Sequence, residues 1–217
     1  MSGRLVSPTP GANLLDKIAM MARVSNPNNQ ENTKTAEKLV RYLIKHKHWS
    51  PFEMANVVLE INTTRDIGRQ ILRHRSFSFQ EFSQRYADVG DIGTSTQLKE
   101  ARMQDKSNRQ NSIVLDNGSR LHYLWSNKQQ EVLNLANETY KWALENGIAK
   151  EQARAVLPEG LTISRMYMQG SIRSWMHYIE LRSSIETQKE HRDIAIQCAN
   201  CIECVFPMIR EFVHGEV

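Results

Sequence analysis

Residues 57–85 read VVLEINTTRDIGRQILRHRSFSFQEFSQR. Val57, Leu59 and Ile61 alternate with Val58, Glu60 and Asn62, the two-residue period of a half-buried strand. Thr64 and Asp66 then supply cap chemistry for a short helix whose buried face carries Ile67, Ile71 and Leu72. That helix ends in Arg73, His74 and Arg75. In the next stretch Phe77 and Phe79 fall on one face, as in an extended strand or structured loop. Taken with the helices and strand on either side of it, the chain is read as α+β.

Upstream, residues 32–46 set Ala36, Leu39, Val40, Leu43 and Ile44 at helical spacing. Downstream, the stretch from Asp88 to Asn117 is polar and without periodicity, and reads as a long, mobile loop or flap. Leu121, Leu124, Trp125, Val132, Ala136, Tyr140 and Ala143 trace a long helix that Gly147 ends in a left-handed cap. A shorter helix from Lys150 to Leu157 stops at Pro158. Ile163 to Gly170 alternates like a strand, and Ile172, Trp175, Met176 and Ile179 restore a helical period up to Arg182. The last helix is expected from Lys189 to Val213, burying Ile194, Cys198, Ile202, Val205 and Ile209. No repeat, low-complexity tract or linker divides the chain, so residues 1–217 are read as one domain.

With 217 residues and 40% hydrophobic content, the chain buries one sizeable core. The first residues, MSGRLVSPTPGANLL, lack a basic segment followed by an apolar run, and no stretch approaches the ~18 apolar residues of a membrane span. A cytoplasmic protein without a membrane partner is expected. The net charge of +4 suits an anionic partner, either nucleic acid or a phosphorylated small molecule. The three cysteines, Cys198, Cys201 and Cys204, are odd in number and crowded into one helix, as in a reducing compartment. Spaced three apart, they wind around the helix instead of converging, so they read as packing groups and not as a metal site. Met166, Met168 and Met176 read as core or pocket filler.

Chemistry concentrates where Arg73, His74, Arg75 and Arg85 lie within about a dozen residues of Glu81 and Ser83. A guanidinium presents a permanently charged planar fork that matches phosphate oxygens, so arginines at a helix end suggest a phosphate site. The same arginines equally suit a solvated basic terminus that complements the helix dipole. Ser83 has no evident paired base and reads as a phosphate contact more than as a nucleophile.

Arg73, His74, Arg75, seven residues, then Ser83 is the RHR-x7-S signature, and the chain resembles the flavin-dependent thymidylate synthases, the family called ThyX. HKHWSPFEM, beginning at His46, resembles the family's H-x-[ST]-P-F-E segment, and Gln70 is the glutamine expected in RQILRHR. EQARAVLP matches the A-R-x-x-L-P segment, and GSIRSWMHYIELRSS resembles the block that ends in the family's active-site arginine. These ordered matches cover residues 46 to 184.

The resemblance implies a mixed β-sheet flanked by helices, a homotetramer with shared active sites, and reductive methylation of dUMP to dTMP. FAD would be the cofactor, with NADPH and methylenetetrahydrofolate as co-substrates. It implies that Ser50, Arg73, His74, Arg75, Glu81, Ser171, Arg173 and His177 hold FAD. Gln70, Arg73, Glu81, Phe82, Ser83, Gln84, Arg85, Arg154 and Arg182 would surround dUMP, with Arg182 against the uracil as the catalytic residue. His48 would neighbour the folate. The family often has asparagine where this chain has Ser171 and histidine where it has Glu186; His191 is a candidate replacement for the latter. Two rival readings remain: an inactive homolog of the family, motivated by those departures, and a basic RNA- or DNA-binding module. The module predicts salt-sensitive polynucleotide binding and no chromophore. No recognised nucleic-acid motif is present, and no nucleic-acid partner is expected.

Overall fold

Alternating apolar residues become a four-stranded sheet whose order is β1 (Ser2–Pro8), β2 (Asn56–Thr64), β6 (Ile163–Ser171), β3 (Ser78–Glu81). The computed structural model describes residues 1–10, 13–86, 96–116 and 118–215. Pairing sets Leu59 opposite Met168 and Ile61 opposite Met166, and all four side chains are fully buried on the helix-covered face. On the other face Arg4 reaches Glu60 at 2.7 Å and Tyr167 is exposed. Period-2 burial therefore positions one apolar and one polar face, as the alternation predicts.

The sheet was expected to be mixed, yet each of its three pairings is antiparallel. The reason is topological. β2 and β3 run the same way, joined by α3 (Arg65–Ile71), but β6 slots between them, so the two like-directed strands never pair. This split crossover puts the end of α3 and the following Arg73–Arg75 at the sheet's edge.

Helices α1 (Leu14–Ala22), α2 (Ala36–Lys45), α6 (Ile172–Arg182) and α7 (Lys189–Glu203) pack on one another and on the covered face, α7 against β1 and β2. Trp175 of α6 is fully buried and donates its indole N–H to the Val57 carbonyl at 3.2 Å. Phe77 meets Trp175 edge-on at 4.8 Å and lies flat over Gly170, where any Cβ would overlap the ring. Each fully buried aliphatic or phenyl side chain of this core contributes about 1.5–3 kcal/mol.

The long helix is α4 (Arg120–Glu145), capped by the Ser119 hydroxyl and closed at Gly147, whose φ of 75° is left-handed. Of its expected apolar face only Ala136, Tyr140 and Ala143 are buried, with Leu133; Leu121, Leu124, Trp125 and Val132 are exposed, because few described residues cover that half of the helix. Leu72 is also exposed, since α3 closes at Ile71 and the chain turns outward there. The shorter helix is α5 (Lys150–Ala153), continued to Val156 as a 3-10 turn before Pro158. The expected final helix to Val213 stops at Glu203: Pro207 cannot continue the ladder, and residues Pro207–Phe212 form a 3-10 turn that still buries Ile209.

Part of the expected flap, residues 88–95 and 117, lies outside the described residues. The rest is not a bare loop. Thr96 bridges Thr162, and β4 (Arg102–Gln104) pairs with β5 (Ser112–Val114) as a hairpin. Its tip is tied by Asp105, whose carboxylate accepts from Ser107, Asn108 and Asn111 and is held down at about 2 by those bonds.

Candidate active site

A cleft of about 870 Å³ opens between the end of α3, the last turn of α6 and the segment leading to α7, with Gln110 of the hairpin on its rim. Gln70, His177, Arg182, Glu186 and Gln188 line it. Arg182 is the last residue of α6, and its Nε donates to His74 Nε2 at 2.9 Å. The His74 ring therefore carries its proton on Nδ1. Burial, and then the adjacent guanidinium, hold His74 down at about 4, so it stays a neutral acceptor at neutral pH. Tyr178, one turn before Arg182, meets the His74 ring edge-on at 4.9 Å. The two terminal nitrogens of Arg182 have no partner among the described residues, which leaves the planar fork free for a ligand.

A second cleft of about 290 Å³ is lined by Arg65, Arg69, Gln84, Glu151, Arg154 and Glu159. Gln84 is buried, and its Nε2 has no partner among the described residues. Phe82 prolongs β3 by donating its backbone N–H to the Arg165 carbonyl at 2.8 Å. Ser83 accepts from the Arg85 backbone N–H at 3.4 Å, and Arg85 lies 3.7 Å from Glu151. Glu81 is tethered inward, accepting from the Ser164 hydroxyl at 2.7 Å and from Arg65 at 3.5 Å. The residues expected around the nucleotide thus divide: Gln70 and Arg182 line one cleft, Gln84 and Arg154 another.

The residues expected around the flavin divide as well. Ser50 opens a 3-10 turn, Ser50–Met54, and Glu53 in that turn accepts from Ser171 at 2.6 Å and from Arg173 at 2.8 Å. Those two bonds, the serine's first, hold the Glu53 carboxyl below its ordinary range despite partial burial. Trp49 meets His177 edge-on at 5.0 Å. The HWSPFEM segment and the start of α6 are therefore one assembly. Ser171 is buried and caps α6 by accepting from the Ser174 N–H at 3.2 Å, so its hydroxyl is committed to the protein. Arg73 and Arg75 are exposed, without an ion-pair partner among the described residues. His48 is exposed too, beside Tyr42.

Two expectations need correction or extension. His191 does not stand in for Glu186 at the surface: it is fully buried beneath the cleft, while Glu186 is exposed on the rim. Glu53, Arg65 and Tyr178 were not singled out, although Glu53 lies in the quoted PFE segment and Tyr178 sits four residues before Arg182 on the same helix face. Cys198 is fully buried on α7, and burial pushes its thiol far up, while Cys201 is half-buried and Cys204 exposed. None lines the cleft.

Such a site, an open polar cleft on an antiparallel sheet with an arginine fork free at a helix end, defines an α+β protein equipped to bind a polar or anionic small molecule. The family model described as thymidylate synthase complementing protein matches residues 4–208, and the chain belongs to that family. A probable flavin-dependent thymidylate synthase of Paramecium bursaria Chlorella virus 1 is 49% identical over 214 residues, covering 96% of this chain and 97% of that protein. A flavin-dependent thymidylate synthase of Synechocystis sp. is 49% identical over 193 residues, covering 88% and 86% respectively. Among solved structures, a UMP/dUMP methylase, PolB from Streptomyces cacaoi bound with 5-Br dUMP, aligns with a TM-score of 0.82 at 26% identity over 97% of this chain and 93% of that one.

Proposed function

We propose that the protein is a flavin-dependent thymidylate synthase that converts dUMP to dTMP, with methylenetetrahydrofolate as carbon donor and NADPH as the source of reducing equivalents. The observation that carries the reading is Arg182, anchored through Nε on a neutral histidine with its fork free in the cleft. Methylation at C5 of uracil requires electron density at that carbon. An arginine fixed against the pyrimidine stabilises negative charge developing at N3 and O2, and being preorganised it does so without reorganisation. Cysteine attack at C6, the other route to that density, has no support here, since the one fully buried thiol is held protonated and none faces the cleft.

Arg154, Arg85 and Ser83 suit the phosphate end of dUMP, with Gln84 and Glu81 beside them, and Gln70 with Arg182 suits the base. Because Gln84 and Arg154 line one cleft and Gln70 and Arg182 another, one nucleotide site would draw its two halves from two copies of the chain, in keeping with a homotetramer. The donor set also fits FAD. Arg73 and Arg75, without an ion-pair partner among the described residues, offer cations to a pyrophosphate, and Ser50, Arg173 and His177 offer polar contacts around an aromatic edge. When bound, FAD supplies hydride transfer. His74 would act from behind on the uracil side, through Arg182, and Ser171 on the flavin side, through Glu53. The purified protein should be yellow and its flavin bands should bleach on anaerobic addition of NADPH. A colourless preparation that takes up no added FAD would reject the assignment.

A further inference from the structure

Beneath the cleft the hydrogen bonds run one way. Gln70 Nε2 donates to Gln188 Oε1 at 2.8 Å, which turns Gln70 Oε1 toward His191 Nδ1 at 3.2 Å. His191 must then carry its proton on Nδ1, and its Nε2, 3.2 Å from the Tyr178 hydroxyl, accepts from it. On the far side Gln188 Nε2 donates to Glu190 Oε2 at 3.0 Å, and Arg102 from the hairpin's first strand closes on the other oxygen of Glu190. Tyr178 and His191 are fully buried and Glu190 nearly so, whereas Gln70 and Gln188 reach the cleft. A donor sequence from α6 through α7 to α3 and back to α7 thus ends on a carboxylate that cannot donate in return.

We infer that His191 is a positioning residue: locked in its Nδ1–H tautomer by Tyr178, it fixes the Gln70 carboxamide so that the remaining Gln70 N–H, and not its carbonyl, faces an acceptor oxygen of the bound nucleotide. The inference rests on the activity proposed above, but its structural half does not. A ring proton moved to Nε2 would donate to the Tyr178 oxygen, cost the buried phenol hydrogen its acceptor on His191 and leave Nδ1 an acceptor, and the Gln70 amide would turn over to donate to it. The cleft would then meet a carbonyl where it now meets a donor, and an oxygen of the ligand would be repelled. The groups facing His191 are Tyr178 on its own side, His74 and Arg182 behind it, and Gln70 in front; burial, then Arg182 and His74, hold its ring down at about 3. The ring is therefore neutral wherever the protein works, and its tautomer is the variable that matters.

The test joins a tautomer measurement to a double-mutant cycle on the full-length protein. Nitrogen-15 spectra of the histidine rings, without substrate, should show His191 as the Nδ1–H form; the Nε2–H form overturns the inference. In steady-state kinetics His191→Phe should raise the KM for dUMP by about tenfold and lower kcat by less, because it removes a ground-state contact. His191→Asn, which places an amide donor near the position of Nδ1, should recover most of that loss. Gln70→Ala should raise KM by a similar factor, and the Gln70→Ala, His191→Phe pair should be no worse than Gln70→Ala alone. Additive losses, or an Asn variant as impaired as Phe, overturn the positioning role while the activity stands. A flavin-loaded parent that does not turn over dUMP overturns the activity itself and this role with it.

Discussion

Arg182 spends its Nε on His74 Nε2 at 2.9 Å, so a permanent cation and a histidine share a hydrogen bond that survives only while the ring is neutral. Free histidine titrates near 6.5. In the folded protein His74 is held at about 4 and the neighbouring His191 at about 3. Both values lie below the unfolded one, so the unfolded chain binds more protons between them. The stability these rings contribute is complete above about pH 6.5 and is lost as pH falls toward 4 and 3. His74→Gln keeps an acceptor for Arg182 and cannot titrate. Its melting temperature relative to the parent should rise steadily as pH is lowered from 7 to 4; a difference that does not change with pH contradicts the neutral pairing.

Arg182→Ala should leave flavin binding nearly intact and cut turnover at saturating dUMP by about a hundredfold, the loss of roughly 3 kcal/mol expected for one preorganised charge. Arg182→Lys should recover little, because an ammonium cannot both hold His74 and present a fork. Arg154→Ala, by contrast, should chiefly raise the KM for dUMP. Steady-state kinetics on the three variants separate the two clefts, and an Arg182→Ala enzyme that turns over like the parent would remove Arg182 from the mechanism.

Glu53 binds Ser171 and Arg173 together, and through them joins the Ser50 turn to the start of α6. Glu53→Gln keeps the shape and removes the charge. It should cost about 1 kcal/mol of stability, since the Arg173 pair is partly exposed. If Arg173 and Ser50 contact FAD, flavin affinity should fall by about fivefold to tenfold in titrations of the apoprotein. Unchanged flavin affinity would show that this assembly is structural only.

Replacing all three cysteines by serine should lower the melting temperature, mainly through Cys198, where a hydroxyl enters a fully buried site at a cost of about 1–3 kcal/mol. Turnover by the folded, flavin-loaded variant should be close to that of the parent. Lost turnover in that variant would reopen covalent catalysis by a thiol.

The elements that bury a regular stripe were legible in the chain. β2, α2, β6 and α6 follow from periods of 2 and 3.6, and their bounds match to within a few residues because alternation or helical spacing decides which face is buried. The antiparallel pairing of β2 with β6 was not, since register across more than a hundred residues depends on tertiary packing. β1 escaped because its residues are exposed or half-buried and carry little apolar pattern, and the β4–β5 hairpin because its strands are short and it is held by the polar ties of Gln104 and Asp105. α1 escaped although Leu14, Leu15, Ile18 and Ala19 are spaced as a helix, capped by Asn13. At the site, residue types named the arginine cluster, and only the family resemblance named Arg182 and Gln70. The neutral histidine behind Arg182 and the buried His191 are properties of packing, and a string of residues does not show which imidazole lies at the surface.

The central claim is that this chain makes dTMP, and product analysis tests it most directly. The purified protein, loaded with FAD, should be mixed anaerobically with dUMP, methylenetetrahydrofolate and NADPH, and the nucleotides separated. The account predicts dTMP that forms only when all three substrates are present and that drops by about a hundredfold with Arg182→Ala. Folded, flavin-loaded protein that leaves dUMP unchanged under these conditions would contradict it.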